Sequence, residues 1–443
     1  MDCFAPGAVP HAVSTASTTT PATERSSSSR ATTNDLTLSS VLYTPDRHEP
    51  LSDRKFSEAA AREAISRIAL RAEHERDAVG GLWPRDPADA MTPGEGQAAS
   101  LYWGAAGIVW ALAELARENA GAGVTVDRDF VDDLAVRLLA DSDDPDFGDE
   151  GVWFGVAGAL AVAESLWPDA SRRDKLAELA RASLRSPALE PMMGHPGYMM
   201  LAAQLHSRTG EERWSEFWSS GAERLWADWH YDDQLDAWLW TQHLGDHDLR
   251  VVGAAHGLVG NLHVLRRGGN LLTEDRRVEL ERRSLDTLAR LAVVEDGRAN
   301  WPADADGPLE SRGRIRVQWC HGSPGVLTAM WDAAAGDEPW DELLLAAGRL
   351  VYEAGPIRDD PGLCHGTAGN AYALLALWRR TGDDEWLERA RAFAIHAAEQ
   401  VEARAAKVGR GRHSLFTGDE GVALCLASCI TGDERFPIAD RLL

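Results

Sequence analysis

Apolar and charged positions sort along the chain into two alternating kinds of helical segment. Residues 107–115 and 369–377 are rich in Ala and Leu with little charge, the composition of a helix buried on most sides. Residues 387–401 instead put apolar side chains on one face and charges on the other, as an outer helix does, and residues 53–75 show the same spacing. Each low-charge run opens with Gly-x-x-Gly, at Gly104/Gly107, Gly155/Gly158, Gly194/Gly197, Gly257/Gly260, Gly322/Gly325, Gly366/Gly369 and Gly418/Gly421. The intervals between copies, 51, 39, 63, 65, 44 and 52 residues, suit one helical hairpin each. A second marker, Gly-acid-x-x-aromatic, recurs at Gly210 to Trp214, Gly336 to Trp340, Gly382 to Trp386 and Gly432 to Phe436. Its glycine ends one helix in the left-handed conformation and its acid caps the next. Buried and amphipathic helices alternating seven times predict an all-α fold, a closed α/α toroid of seven inner helices inside seven outer ones. No strand-rich run of comparable length competes with this.

Composition sets the boundaries. Residues 1–36 are dominated by Ser, Thr, Ala and Pro without apolar periodicity and are expected to be disordered, leaving residues 41–443 as a single toroid domain. With 443 residues, 44% of them hydrophobic, the chain can bury a large core. No window approaches 18 consecutive apolar residues and the N-terminus lacks a secretory pattern, so we expect no membrane span and a cytoplasmic location. A net charge of -25 argues against nucleic acid as the main partner and favours basic or neutral peptides, although most of the acids suit solvated outer helices. Five scattered cysteines, Cys3, Cys320, Cys364, Cys425 and Cys429, are too few for a disulfide framework and direct attention to metal or catalysis.

Closing the ring makes neighbours of the two residues before each first glycine. In order these are Tyr102-Trp103, Trp153-Phe154, Met192-Met193, Ala255-His256, Cys320-His321, Cys364-His365 and Phe416-Thr417. Repeats four to six supply every Cys and His in this set, and the others supply mostly apolar walls. Two thiolates and one or two imidazoles at helix N-termini suit a tetrahedral Zn²⁺, and the positive helix ends favour the thiolates. The alternative is a pair of small core cysteines with imidazoles that cap neighbouring turns.

Trp319-Cys320-His321-Gly322-Ser323-Pro324-Gly325 and Leu363-Cys364-His365-Gly366-Thr367-Ala368-Gly369-Asn370 resemble the two signature motifs of the LanC-like family, and Gly253-Ala254-Ala255-His256-Gly257 resembles its third. His after Cys in both motifs is closer to the stand-alone LanC-like branch than to dedicated lantibiotic cyclases. The resemblance implies that Cys320, Cys364 and His365 bind zinc, with a fourth position open to a thiol. It implies addition of that thiol to a dehydroalanine or dehydrobutyrine of a dehydrated peptide or protein, the thiol being a cysteine of the substrate or glutathione. It makes His256 the acid/base residue; His321, at the same offset in the repeat that carries Cys320, is by spacing a second candidate for positioning or protonating substrate. Lantibiotic cyclases also use an early acid, for which Asp149 and Glu150 are the nearest candidates, but neither falls at the expected offset from Gly155 and both suit a solvated loop better.

Other residues carry weaker signals. Cys425 and Cys429 lie four apart on a buried helix and fit core packing better than metal. His195, His243 and His247 have no nameable partner, and Arg314 and Arg316 suit either a substrate carboxylate or surface ion pairs. A zinc-containing toroid that only binds a peptide or partner is the competing function; a sugar-processing barrel has no use for a Cys-Cys-His set.

Overall fold

The chain, described by a computed structural model, is resolved into structure over residues 42–77, 81–89, 96–118, 127–140, 143, 151–244 and 246–443. The segment 1–36, Cys3, Asp149 and Glu150 lie outside the described residues. In chain order the helices are α1 (Glu58–Glu75), α2 (Ala105–Arg117), α3 (Arg128–Ala140), α4 (Gly151–Phe154), α5 (Val156–Leu166), α6 (Ala170–Ser183), α7 (His195–Thr209), α8 (Glu212–Ala227), α9 (Leu258–Arg267), α10 (Glu274–Leu291), α11 (Ser323–Met330), α12 (Glu338–Ala354), α13 (Thr367–Thr381), α14 (Asp384–Val408) and α15 (Asp419–Thr431).

Seven of these, α2, α5, α7, α9, α11, α13 and α15, begin directly after the first glycine of a Gly-x-x-Gly pair, and apart from α5 and α7 each packs on the next around a ring that α15 closes onto α2. The short α4 bridges α5 to α7. Helices α3, α6, α8, α10, α12 and α14 pack outside them, and α1, although first in sequence, covers α15. The fold is therefore the expected α/α toroid.

The second glycines are explained by contact. A Cβ there would collide with a main-chain carbonyl six residues earlier, at 2.1 Å from Leu101 in Gly107 and 2.0 Å from Leu363 in Gly369. The tight approach folds each rim loop back onto the first turn of its inner helix, so every loop points its pre-glycine residues the same way. Main-chain hydrogen bonds then join equivalent positions of neighbouring repeats: Tyr102 N–H to Trp153 O (2.9 Å), Phe416 to Tyr102 (3.3 Å), Cys364 to Phe416 (2.9 Å) and Cys320 to Cys364 (3.0 Å). This belt holds the rim in register across five repeats.

Four details differ from the sequence expectation. The first helix starts at Glu58, capped by Ser57, rather than at residue 53. Three two-stranded antiparallel ribbons occupy the connections: β1 (His230–Asp232) with β2 (Ala237–Leu239), β3 (Gln242–Leu244) with β4 (His247–Leu249), and β5 (Val293–Glu295) with β6 (Arg298–Asn300). They lie inside the two longest repeats. Gly210, Gly382 and Gly432 are left-handed, and Asp337 and Asp383 cap the following helices through their side chains, but Glu211 makes no such bond. After Gly432 no helix follows, because α1 already occupies the outer place against α15.

Residues 432–443 instead turn back into the ring at the end opposite the rim. Phe436, fully buried, stacks on Trp319 with centroids 4.4 Å apart. The peptide of Leu442 accepts from Trp110 Nε1 (3.0 Å) and donates to Gln204 Oε1 (2.7 Å).

Candidate metal centre and active site

The rim loop before α11 is held at both sides of Cys320. Gln318 and His321 exchange main-chain hydrogen bonds at 3.0 Å in both directions. Gly322 adopts φ +94°, where a side chain would meet Arg316 O and Asn300 Oδ1, and Asn300 Oδ1 accepts the Ser323 N–H (3.0 Å) that starts the helix. The loop before α13 is fixed by Thr367, whose N–H donates to Asp360 O (2.9 Å). These constraints bring one donor atom each from Cys320, Cys364 and His365 within 4.8 Å of one another, and all three residues are buried.

This donor set fits zinc. Ligands at about 2.0–2.3 Å in a tetrahedron lie roughly 3.5–3.8 Å apart, a small adjustment from the observed cluster. Gln318 Nε2 donates to the Cys320 sulfur at 3.0 Å, an interaction that suits a thiolate better than a thiol. Nε2 of His365 lies 3.4 Å from Asp360 Oδ2.

His256, 2% exposed, approaches Glu190 through Nδ1 at 3.1 Å. Glu190, fully buried, also accepts from the N–H groups of Met192 (2.8 Å) and Met193 (2.7 Å), so its carboxylate is immobilised at the mouth of α7. Sequence reasoning missed Glu190, since nothing in its local pattern marks it. The loop carrying His256 packs onto the cysteine loop: a Cβ on Gly253 would lie 1.9 Å from Cys320 O and 3.0 Å from His321 Nδ1. That nitrogen is buried without a hydrogen-bond partner among the described residues. The opposite wall is aromatic, with Tyr102 and Phe416 stacked at 4.9 Å and Phe154 against both Tyr102 and Trp103.

A cavity of about 810 Å³ opens beside His365. Its walls come from the rim (Asp359, Asp360, Arg412), from Arg47 and Glu49, from Arg314, and from the last turns of α14 with Arg404 and Lys407. Helix α14 reaches this far because it has 25 residues, against 13 to 18 in the other outer helices. Of the weaker candidates, Arg314 joins this wall, whereas Arg316 donates to Ser311 O. His243 and His247 sit exposed on the β3–β4 ribbon. His195 is entirely buried, and burial with nearby Arg224 lowers its pKa to about 4. Cys425 and Cys429 are buried on α15, and burial together with the neighbouring Cys429 pushes the Cys425 thiol up, as for core thiols.

The seventh repeat adds a charged cluster next to this rim. His413 lies between Glu420 (2.8 Å) and Glu75 (2.8 Å). Burial alone would lower its pKa, but Glu420, Asp419 and Glu75 outweigh that and raise it to about 9. Burial and Glu420 raise Asp419 to about 7.

Among the described residues no helix is long and apolar enough to cross a membrane. A zebrafish (Danio rerio) protein named Glutathione S-transferase LANCL1 is 37% identical over 145 residues, 32% of this chain and 34% of its own length. LanC-like protein GCL1 of Arabidopsis thaliana is 32% identical over 203 residues, 43% of each chain, so the alignments span less than half of either relative. The solved structure of nisin cyclase superposes with a TM-score of 0.58 over 84% of this chain and 94% of its own, at 15% identity, a likeness of fold. The family profile described as Lanthionine synthetase C-like protein matches residues 96–441, which span six of the seven outer helices, all seven inner helices and the Cys-Cys-His cluster, and the chain therefore belongs to that family.

Proposed function

We propose that this protein is a zinc enzyme that adds a thiol to the β-carbon of a dehydroalanine or dehydrobutyrine residue, forming a thioether. The observation that carries this reading is the buried Cys320–Cys364–His365 set, whose His365 also lines a cavity of about 810 Å³. Cys320, Cys364 and His365 would hold zinc, which would supply a Lewis acid that lowers the pKa of an incoming thiol.

The chain's own residues do the rest. The sulfur bonds to the β-carbon, the π-electrons move towards the carbonyl, and the resulting enolate needs a proton at its α-carbon. Imidazole suits that transfer. Glu190 at 3.1 Å from Nδ1 of His256 fixes the ring with its N–H towards the carboxylate, so that Nε2 takes up the proton the thiol loses and passes it to the α-carbon. His321, in the next loop, is the second candidate donor. The rings of Tyr102, Trp103 and Phe154 keep water from the enolate side.

The cavity supports a small acidic thiol as nucleophile. Its volume lies within the usual range for small-molecule sites, and its walls carry Arg47, Arg314 and Lys407 beside Glu49, Asp359 and Glu399, a mixed set that suits a ligand with both carboxylates and an amine, such as glutathione. The name of the zebrafish relative is in keeping with this choice.

The test is thiol addition to a dehydroalanine peptide, with zinc content measured in parallel. His256→Ala should retain zinc and slow addition by roughly 10²-fold or more, the usual share of general acid–base catalysis. Cys364→Ala should lose both zinc and activity. A wild-type protein that holds zinc yet adds neither glutathione nor an intramolecular cysteine would favour a binding scaffold instead.

A further inference from the structure

Asp360 stands in the loop between α12 and α13, five residues before His365, and outside every motif singled out in the sequence. Its main chain is pinned to the first turn of α13, its carbonyl accepting from Thr367 N–H at 2.9 Å and Thr367 Oγ1 at 3.3 Å. Its side chain points the other way. One oxygen, Oδ2, lies 3.4 Å from His365 Nε2, and the other, Oδ1, lies 3.6 Å from Arg412 Nη1.

Arg412 is itself locked. It is 6% exposed and grips Asp89 with both arms of its guanidinium, Nε to Oδ2 at 2.9 Å and Nη2 to Oδ1 at 2.6 Å. Asp89 is buried as well, and Thr417 adds a further hydrogen bond to it. Burial alone would raise the Asp89 carboxyl, but Arg412 more than offsets this and holds it below the ordinary range. A planar fork held bidentately has little freedom to rotate, so its third contact, to Asp360, is set by the same geometry. Three separate parts of the chain thus converge on one imidazole edge: the segment ending at Asp89, the rim loop of repeat six and the rim loop of repeat seven.

We propose that Asp360 is the positioning residue of the metal centre, held by the Arg412–Asp89 pair, and that it makes Nδ1 the metal-binding atom of His365. The inference rests on the zinc reading above. A neutral imidazole has one N–H and one lone pair; an acceptor facing Nε2 draws the proton there and leaves the Nδ1 lone pair for the metal. The same contact fixes the plane of the ring, which a histidine on a loop lacks by itself. Asp360 touches no reacting atom in this arrangement and acts only through His365.

Zinc affinity of the whole protein, read by competition with a chromogenic chelator, tests this without reference to turnover. Asp360→Asn keeps the shape and loses the strong acceptor; zinc binding should weaken about 10- to 100-fold, the usual effect of removing such a partner. Asp360→Glu, which restores a carboxylate, should recover part of the loss. Asp89→Asn should weaken zinc less, because Arg412 still faces Asp360. In the cobalt-substituted Asp360→Asn protein the thiolate charge-transfer band should persist, since both sulfurs remain. Nitrogen-15 NMR of histidine-labelled, zinc-loaded wild type provides a check that needs no variant, and a proton on Nε2 of His365 is expected. A metal on Nε2, or Asp360→Asn zinc affinity within twofold of wild type while Cys364→Ala strips the metal, overturns the positioning role and leaves the metal centre standing. Wild type that binds no zinc overturns both.

Discussion

The two ends of the ring differ in the buried charge they hold. At the end away from the rim, every strong charge on the returning segment meets its complement: Asp440 sits between His263 (2.8 Å) and Arg267 (2.6 Å), and Arg441 reaches Glu118 (2.8 Å), Asp433 (3.1 Å) and Ser428 (3.1 Å). Despite burial, His263 and Arg267 hold Asp440 well below the usual carboxylate range; burial opposes the charge of Arg441, but Tyr372, Asp433 and Glu118 raise it. Neither end-group titrates near neutrality. At the rim, by contrast, His195 at about 4, Asp419 at about 7 and His413 at about 9 all change charge across the ordinary pH range. Both ends hold fixed pairs, Arg412–Asp89 at the rim among them, but only the rim adds groups whose protons move. Chemistry and stability are thereby separated along the ring axis.

The sharpest way to break this separation is Arg441→Ala. Removing one partner from a buried ion network costs about 3–5 kcal/mol, so denaturant unfolding should show a loss of that size while the folded protein keeps its zinc. Loss of zinc without loss of stability would mean that the ends are not independent.

Acid should act at the rim. His195 has a folded pKa of about 4 against an ordinary 6.5, so protonation favours the unfolded chain; stability should fall as pH drops from 6.5 and level off below about 4. The full difference is about 3 kcal/mol, and His195→Leu should flatten that part of the pH–stability curve. If the variant's curve keeps the same slope, the imidazole is not the group responsible.

Alkali acts on His413 with the opposite sign. Its raised pKa means that the charged ring stabilises the fold fully below 6.5 and that this contribution is lost as pH rises through about 9. Unfolding midpoints of wild type and His413→Asn should converge above that pH and diverge below it. Curves that stay parallel from pH 6 to 10 would remove the Glu420–His413–Glu75 cluster from the account.

The smallest expected effect is Glu190→Gln. Amide for carboxylate leaves one oxygen where Met192 and Met193 now use two and weakens the hold on His256, so turnover should drop about tenfold, close to 1.4 kcal/mol, with the metal content unchanged. An unaltered rate would assign Glu190 to capping α7 alone.

Much of this was legible in the sequence because it is written locally. A helix start that folds its loop back within six residues demands glycine, so seven starts appear as seven pairs. Cysteine beside histidine before such a glycine marks where the Cys320–Cys364–His365 cluster forms on the rim. What was hidden depends on distance in sequence. Glu190 lies 66 residues from His256, and Arg412 lies 323 from Asp89, so no local pattern couples them. The cavity wall depends on α14 running to Val408, seven residues beyond the amphipathic stretch that ends at Val401, because Ala403, Arg404 and Lys407 line a cavity rather than a core. Strands of three residues are too short to show a period. The turn at Gly432 has the same letters as those that start outer helices, and only ring closure by α1 decides that it does not.

The returning segment also has a consequence for when the molecule becomes whole. Phe436 and Leu442 fill the centre of the ring, yet a ribosome makes them after all fifteen helices have been polymerised. Helix α1, among the earliest to emerge, must wait for α15 to find its neighbour. During synthesis, at about 5–20 residues per second, the hairpins can form in turn but their shared interior stays uncovered for most of that time. A nascent chain of this kind is a natural client for chaperones that shield apolar surface, and its ring closes only once α15 and the returning segment have been made.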